Sequence, residues 1–326
     1  MTGIAVPYHT VPGRTAPADL APADVAVGAL RWLSDYREWF DPEQWQRFLP
    51  RRRFPAGPLL ELVVLLRCLR RGPFAGRARA LAEEGLAMAE RVCASEEFQA
   101  GLLRADTLLP YHAYLACVLH KSGFPAGRAL GNLRSIVDRD IGDVCAADRP
   151  VLSRMELRYA LDIAGIAAPG LPPLPALYPS SIVGCRDTAL FFSDDEVYAL
   201  THVVFYLTDF GARSSGLAPG EQQRVAELVL TLLVACLARD DFDLAGELLL
   251  CAEVLGAGGH RLVEHGWQRL AGTCRADGAV PSPLHDPGIL SAVGGEKQRA
   301  YVFGTCFHTT MVAAMAASER CRRAGH

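Results

Sequence analysis

Lysine is almost missing from this 326-residue chain: apart from Lys121 and Lys297, every Lys/Arg position is arginine. The 33 basic residues face 36 acidic ones, a net charge of -3. That balance excludes bulk electrostatic attraction for nucleic acid. The 10 cysteines are spread through the chain, and none stands in a C-x-x-C pair. The longest apolar runs, such as Leu228 to Ala238, fall short of the ~20 residues a membrane span needs. Met1 to Leu20 lacks the basic and apolar stretches of a secretion signal. P-loop, dinucleotide-binding, G-x-S-x-G and H-E-x-x-H signatures are all absent.

What is present is globular: 50% hydrophobic and 21% charged residues, too apolar for a disordered chain. Arginine in place of lysine, with heavy use of alanine, glycine and proline, suggests a GC-rich bacterial coding bias. Cys68, Cys117, Cys236 and Cys251 fall in apolar helical stretches, where a reduced cysteine acts as a small hydrophobe. The expectation is a soluble protein of the reducing cytoplasm, with no disulfide framework.

Hydrophobic periodicity is helical throughout, and the predicted fold class is all-α. Leu59 to Arg70 and Ala78 to Leu103 carry leucine and alanine at helical spacing, with Pro55 and Pro58 before the first and Gly72-Pro73 after it. Glu221 to Arg239 follows the i, i+3, i+4, i+7 pattern, and Leu230, Val234 and Ala235 extend its apolar surface, which predicts cover on several sides. Ile182-Val183 and Leu190-Phe191-Phe192 are the only strand-like runs, and both are short. The expected organisation is a Pro/Ala-rich leader (1–25), a helical half (26–168), a Pro-rich connection (169–179) and a second helical half (180–326). Leu109 to Leu115, Tyr198 to Phe205 and Cys306 to Val312 each combine aromatic residues with a histidine on an apolar helix, and Gly123 and Gly211 end the first two. Such repetition suits helical hairpins wound about a common axis.

Leu270 to Val280, with its Asp277-Gly278 turn, resembles the helix end and turn of α/α-toroid repeats. Phe307-His308-Thr309-Thr310 is similar to the start of an inner toroid helix in protein prenyltransferase β-subunits. Triterpene cyclases and lanthionine cyclases share that architecture. The resemblance covers the C-terminal third and implies helical hairpins arranged as a toroid-like barrel. In the prenyltransferases an Asp-x-Cys pair and the histidine hold zinc. Here Asp243-Leu244-Ala245 puts alanine in place of the cysteine, so the expectation is no tightly held zinc, with Cys251 and His308 the remaining metal candidates. The acidic D-x-D-D motif of triterpene cyclases and the Cys-His dipeptide of lanthionine cyclases are absent.

Tyr198, His202, Phe205 and Asp209 share one face if their helix is regular. Glu247 sits among leucines on a helix with Cys251, where burial would suit it to general acid work. His308 lies on a nearly apolar helix, so its ring enters a core or a cavity. The candidate catalytic residues are therefore His308 as base or ligand, His202, and Asp209 or Glu247 as acid. Ser193-Asp194-Asp195-Glu196 and Asp240-Asp241-Phe242-Asp243 read as helix caps, and Arg51-Arg52-Arg53 as a solvated turn. The functional expectation is a biosynthetic enzyme, of cyclase, lyase or transferase type, acting on a hydrophobic or peptide-derived small molecule in a central cavity. The alternative is a non-catalytic helical scaffold or partner-binding protein. A concave pocket with converging polar groups separates the first from the second.

Overall fold

A computed structural model of the chain describes residues 20–185 and 192–325. Among these residues there is no strand. The elements begin with α1 (Pro22–Asp35), α2 (Pro42–Phe48), α3 (Gly57–Leu69), α4 (Arg79–Ala94), α5 (Glu96–Leu103) and α6 (Leu109–Lys121). They continue with α7 (Gly127–Asp138), α8 (Val151–Ile163), α9 (Leu174–Leu177), α10 (Ile182–Cys185) and α11 (Asp194–Thr208). The last five are α12 (Pro219–Ala238), α13 (Phe242–Val254), α14 (Arg261–Thr273), α15 (Pro287–Ala292) and α16 (Gly295–Arg323).

Local chemistry sets many of these boundaries. Pro58 occupies the first turn of α3, where its missing N–H is no loss. Ser193 and Glu196 form a reciprocal capping box on α11: the Ser193 N–H donates to Glu196 Oε2 at 2.9 Å and the Glu196 N–H donates to Ser193 Oγ at 3.3 Å. Asp241 caps α13 by accepting the Leu244 N–H at 3.2 Å. The expected continuous helix from Ala78 to Leu103 is broken at Ser95, which turns extended (ψ 147) and caps α5 through the Phe98 N–H. The Pro/Ala-rich leader ends earlier than expected: Pro22 starts α1 and Val25 is buried in it. Residues 1–19 lie outside the described residues, as do Leu190 and Phe191, whereas Ile182 and Val183 are helical.

Packing closes a ring. α3 packs on α6, α6 on α8, α8 on α11, α11 on α13, α13 on α16, and α16 returns to α3. Outside it, α1 packs on α16, α4 on α3, α7 on α6, α9 on α8 and α12 on α13. This alternation of inner and outer helices is compatible with a toroid-like arrangement of hairpins. The two sequence halves share one hydrophobic core, which runs from Val25 to Cys321. The Pro-rich connection holds α9 and lies over the α8–α11 contact. All three histidine-bearing segments of the sequence repetition are inner helices: α6, α11 and α16. By contrast α12, expected to be covered on several sides, buries one stripe only, and Val234 is 44% exposed.

α16 is 29 residues long and apolar enough by composition to cross a membrane, a length that short apolar runs did not announce. Its most apolar stretch is 78% buried inside the protein. Phe303 on this helix meets Trp32, Trp39, Phe40 and Trp45 at ring-centroid distances of 5.0 to 6.1 Å. This aromatic cluster pins α1 and α2 to α16 and fixes which face of the next helical turn points inward.

The Asp277-Gly278 turn after α14 has a packing role. Gly278 adopts φ +99, and a Cβ there would lie 2.1 Å from the Gly28 carbonyl oxygen on α1. Asp277 Oδ1 accepts the Ala279 N–H at 3.1 Å to hold the turn. Gly278→Ala should therefore destabilise the protein by roughly 1–3 kcal/mol, the usual cost of forced backbone strain. Urea unfolding checks this; an unchanged midpoint would mean that the turn does not bear on α1.

Candidate functional site

The ring encloses a cavity of about 440 Å³. Each inner helix contributes to it. Leu60, Glu61 and Val64 come from α3, Tyr111 and Tyr114 from α6, and Glu156 from α8. α11 adds Tyr198, His202, Phe205 and Tyr206; α13 adds Glu247; α16 adds His308, Met311, Val312 and Met315. Arg52, Arg53 and Phe54, from the loop before α3, complete the lining. Most of the wall is aromatic or aliphatic, so few polar groups set its chemistry.

The most connected of these groups is His308. Its Nδ1 lies 2.9 Å from Asp243 Oδ1, which also accepts the Thr309 hydroxyl at 2.5 Å. Its Nε2 lies 3.5 Å from Glu247 Oε1. Burial alone would lower the imidazole pKa, but the charge and hydrogen bond of Asp243, backed by Glu61 and Glu247, push it up to about 10. Burial would raise Asp243 in turn, yet His308 and Thr309 hold its carboxyl below the usual carboxylate range. His308 is thus an imidazolium at neutral pH. The expected role is base or metal ligand; the pairing with Asp243 favours the charged form, which donates a hydrogen bond.

Glu247 is 1% exposed, not on the outer face of its helix. Burial pushes its carboxyl up to about 7 against the pull of His308 and of the Thr201 hydroxyl, which donates to Oε2. Glu156 is also pushed up to about 7 by burial, against a 3.1 Å hydrogen bond donated by the Tyr206 hydroxyl. Burial raises Glu61 as well, with His308 and Arg52 pulling the other way. His202 Nδ1 lies 2.9 Å from the Tyr198 carbonyl, so Nδ1 carries the proton and Nε2 keeps a lone pair. Burial lowers this imidazole to about 4, and it is neutral where His308 is charged.

The structure brings three of the four candidate catalytic residues, His308, His202 and Glu247, to one cavity. Asp209 is elsewhere. The chain leaves α11 after Thr208, and Asp209 takes φ +49 as the helix cap, so the i+11 projection assumed by a regular helix does not apply. Its carboxylate turns to α3 instead and forms a bidentate pair with Arg67 at 2.6 and 2.8 Å, with the Tyr159 hydroxyl at 2.5 Å. Cys251 is not at the cavity either: it is fully buried, with Sγ 3.8 Å from the Thr201 carbonyl.

The zinc pattern implied by the resemblance does not fit these residues. Asp243 and His308 do meet, but buried Ala245 occupies the thiolate position and Cys251 is walled off. Among the described residues no group of three or more His, Cys, Asp and Glu is arranged to hold a metal.

Sequence reasoning missed Glu61, Glu156 and the arginine rim. Glu61 stands alone in the apolar run Leu59 to Leu66, the same signal that singled out Glu247. Glu156 is flanked by Arg154 and Arg158, which disguise it as part of a solvated face, although residues two apart point to different sides of a helix. Arg52 stacks over Trp45 and Phe307 at 4.4 and 5.4 Å, which makes the expected solvated turn the cavity mouth.

No curated protein and no solved structure matches the chain. The model of one family, described as a domain of unknown function (DUF6895), matches residues 26–318. That span takes in every candidate residue of the cavity and all of the ring except the C-terminal end of α16, and the chain belongs to this DUF6895 family.

Proposed function

We propose that the chain is an enzyme that moves protons on a hydrophobic or peptide-derived small molecule held in the ring cavity, in a cyclisation, elimination or transfer. One observation carries this reading. Glu156, Glu247 and the Asp243–His308 pair converge on a single largely apolar cavity of about 440 Å³. Two of the carboxyls are poised near neutrality, where a group gives up and takes back a proton with least penalty. A purely structural scaffold would fill its axis.

The roles follow from the geometry. Glu247 is the proton-transfer group, since a carboxyl near pKa 7 is populated in both forms at neutral pH. His308 Nε2–H, 3.5 Å away, stabilises the carboxylate that remains after donation and faces negative charge developing on the substrate. Asp243 keeps His308 charged and fixes its ring. His202 offers its Nε2 lone pair to a substrate hydroxyl or N–H. Glu156, from α8, supplies a second acid/base group. All 10 cysteines are free, which suits work in a reducing cytoplasm.

The test compares the protein with its Glu247→Gln variant against a library of small molecules, with mass spectrometry of the mixtures. The wild-type chain should convert at least one compound, and the variant should do so about 10²–10⁴-fold more slowly with an unchanged melting curve. Compounds that bind in the cavity and are returned unchanged would leave a binding role and remove the catalytic one.

A further inference from the structure

Charges inside the ring do not cancel. Asp243 and His308 neutralise each other, so whenever Glu61, Glu156 or Glu247 ionises it faces the cavity without a cation of its own. Among the described residues, no cation lies within ion-pair distance of Glu61 or Glu156, and Arg52 acts on Glu61 only from further away. Glu61 Oε2 is buried with no hydrogen-bond partner at all. Glu247 has the imidazolium already committed to Asp243, the Thr201 hydroxyl and, 3.8 Å from Oε2, Nδ1 of the neutral His202. Glu247 is buried and Glu61 and Glu156 are half-buried, and an ionised carboxylate in such surroundings is costly unless something else pairs with it. The surfaces between them are aromatic: Phe54, Tyr198, Phe205 and Tyr206 line the same space, and an aromatic face attracts a cation.

We propose that the cavity's ligand is an organic ammonium ion, an amine on an apolar body, held by Glu61, Glu156 and Glu247 and by the aromatic walls. The inference deepens the proposed function and rests on it only in placing the substrate in this cavity. A divalent metal fits less well. It asks for several oxygen or nitrogen donors converging at bonding distance, and no such group exists among the described residues. An anion would meet three acids inside, and the cavity's one internal cation is taken. The rim arginines do not block a cation. Arg52 and Arg53 are exposed, and solvent screens them over roughly 8 Å. With the acids inside and the arginines at the mouth, a ligand is drawn in with its cationic end leading.

Calorimetric titration with 2-phenylethylamine, 2-phenylethanol and 3-phenylpropanoate tests this, because the three share a body and differ in charge. The ammonium form should bind about tenfold or more tightly than the alcohol, with the carboxylate weaker still. Glu61→Gln and Glu156→Gln should each reduce that preference by about fivefold or more, with folding verified by melting curves. Equal or tighter binding of the alcohol or the carboxylate would overturn the proposal. So would an ammonium preference unchanged in both variants, failure of all three probes at millimolar concentration, or stoichiometric manganese or zinc that the amine does not displace. A neutral compound that is bound and converted would leave the catalytic reading standing and refute the ammonium ligand alone.

Discussion

Asp209→Ala is expected to destabilise the fold by about 3–5 kcal/mol, the usual result of breaking a buried ion pair and leaving one charge alone. Arg67 would be that charge: its side chain is 13% exposed and its partner's 16%, so water reaches neither well. Removal of the carboxylate also takes the acceptor from the Tyr159 hydroxyl proton, although that oxygen still accepts from Arg67 at 3.1 Å, and Arg71, 3.9 Å from the carboxylate, is a second cation that cannot replace it. Alanine adds a smaller backbone penalty at φ +49, whereas asparagine tolerates that conformation. Asp209→Asn therefore isolates the charge. If the asparagine variant is nearly as unstable as the alanine one in urea, the ion pair carries the effect; if it is close to wild type, the cap does. Both variants should leave ligand selectivity in the cavity unchanged, since Asp209 does not line it.

The position of this pair explains why it matters. Arg67, Tyr159 and Asp209 sit toward the C-terminal ends of α3, α8 and α11, and α3 and α8 are not neighbours in the ring. The group is a brace across the axis. Tyr159 stacks on Tyr206 at 5.0 Å and meets Tyr114 edge-on at 5.4 Å. Tyr206 and Tyr114 line the cavity while Tyr159 does not. A tyrosine layer thus separates the brace from the acid-bearing space, and Glu61, Glu156 and Glu247 all lie nearer the N-termini of their helices.

The all-α class was legible because leucine and alanine spacing is local, and the Ser193-Glu196 box needed only four residues to read. Glu247 and His308 were legible because a single polar group on an apolar helix is costly wherever it sits. The ring was only partly legible: three segments with an aromatic-histidine pattern pointed to equivalent helices, but the closure of α16 on α3 joins residues far apart in sequence. Even the repetition misleads in detail. His112 makes the same bond to the carbonyl four residues back as His202 does, at 3.0 Å, yet its ring packs on Phe54 and Phe98 and not in the cavity. Asp209 was misplaced for a definite reason: helical projection holds only as far as the helix, and one left-handed residue reverses it.

Stability should fall as pH rises from about 7 toward 10: His308 contributes throughout, and the buried thiols, which burial also raises, add to the fall as pH nears their ordinary value of about 9. The His308 pKa is raised above the unfolded value of about 6.5, so the folded state holds a proton that the unfolded chain releases. The stabilisation is complete below about pH 6.5 and is lost as pH climbs through the folded pKa. Glu247 and Glu156, raised to about 7, act in the same direction, but over the window between ordinary carboxylate values and 7. His202, lowered to about 4, opposes them there, since its contribution is present above about 6.5 and lost on acidification. Glu247 and Glu156 finish titrating about one pH unit above 7, so between about 8 and the onset of thiol ionisation His308 carries most of the slope. At about 1.4 kcal/mol for each tenfold gain in proton affinity, the effect is on the order of a few kcal/mol, discounted because 27% of the side chain is exposed. Urea unfolding at pH 6, 7, 8 and 9 measures it. His308→Gln should begin less stable at pH 6 than the wild type, because Asp243 loses its cation, and the gap between the two should narrow from 7 to 9, since the carboxyl and thiol contributions are common to both. A wild-type profile that runs parallel to the variant's over that range would mean that His308 is neutral in the folded protein, and would favour the base role for it.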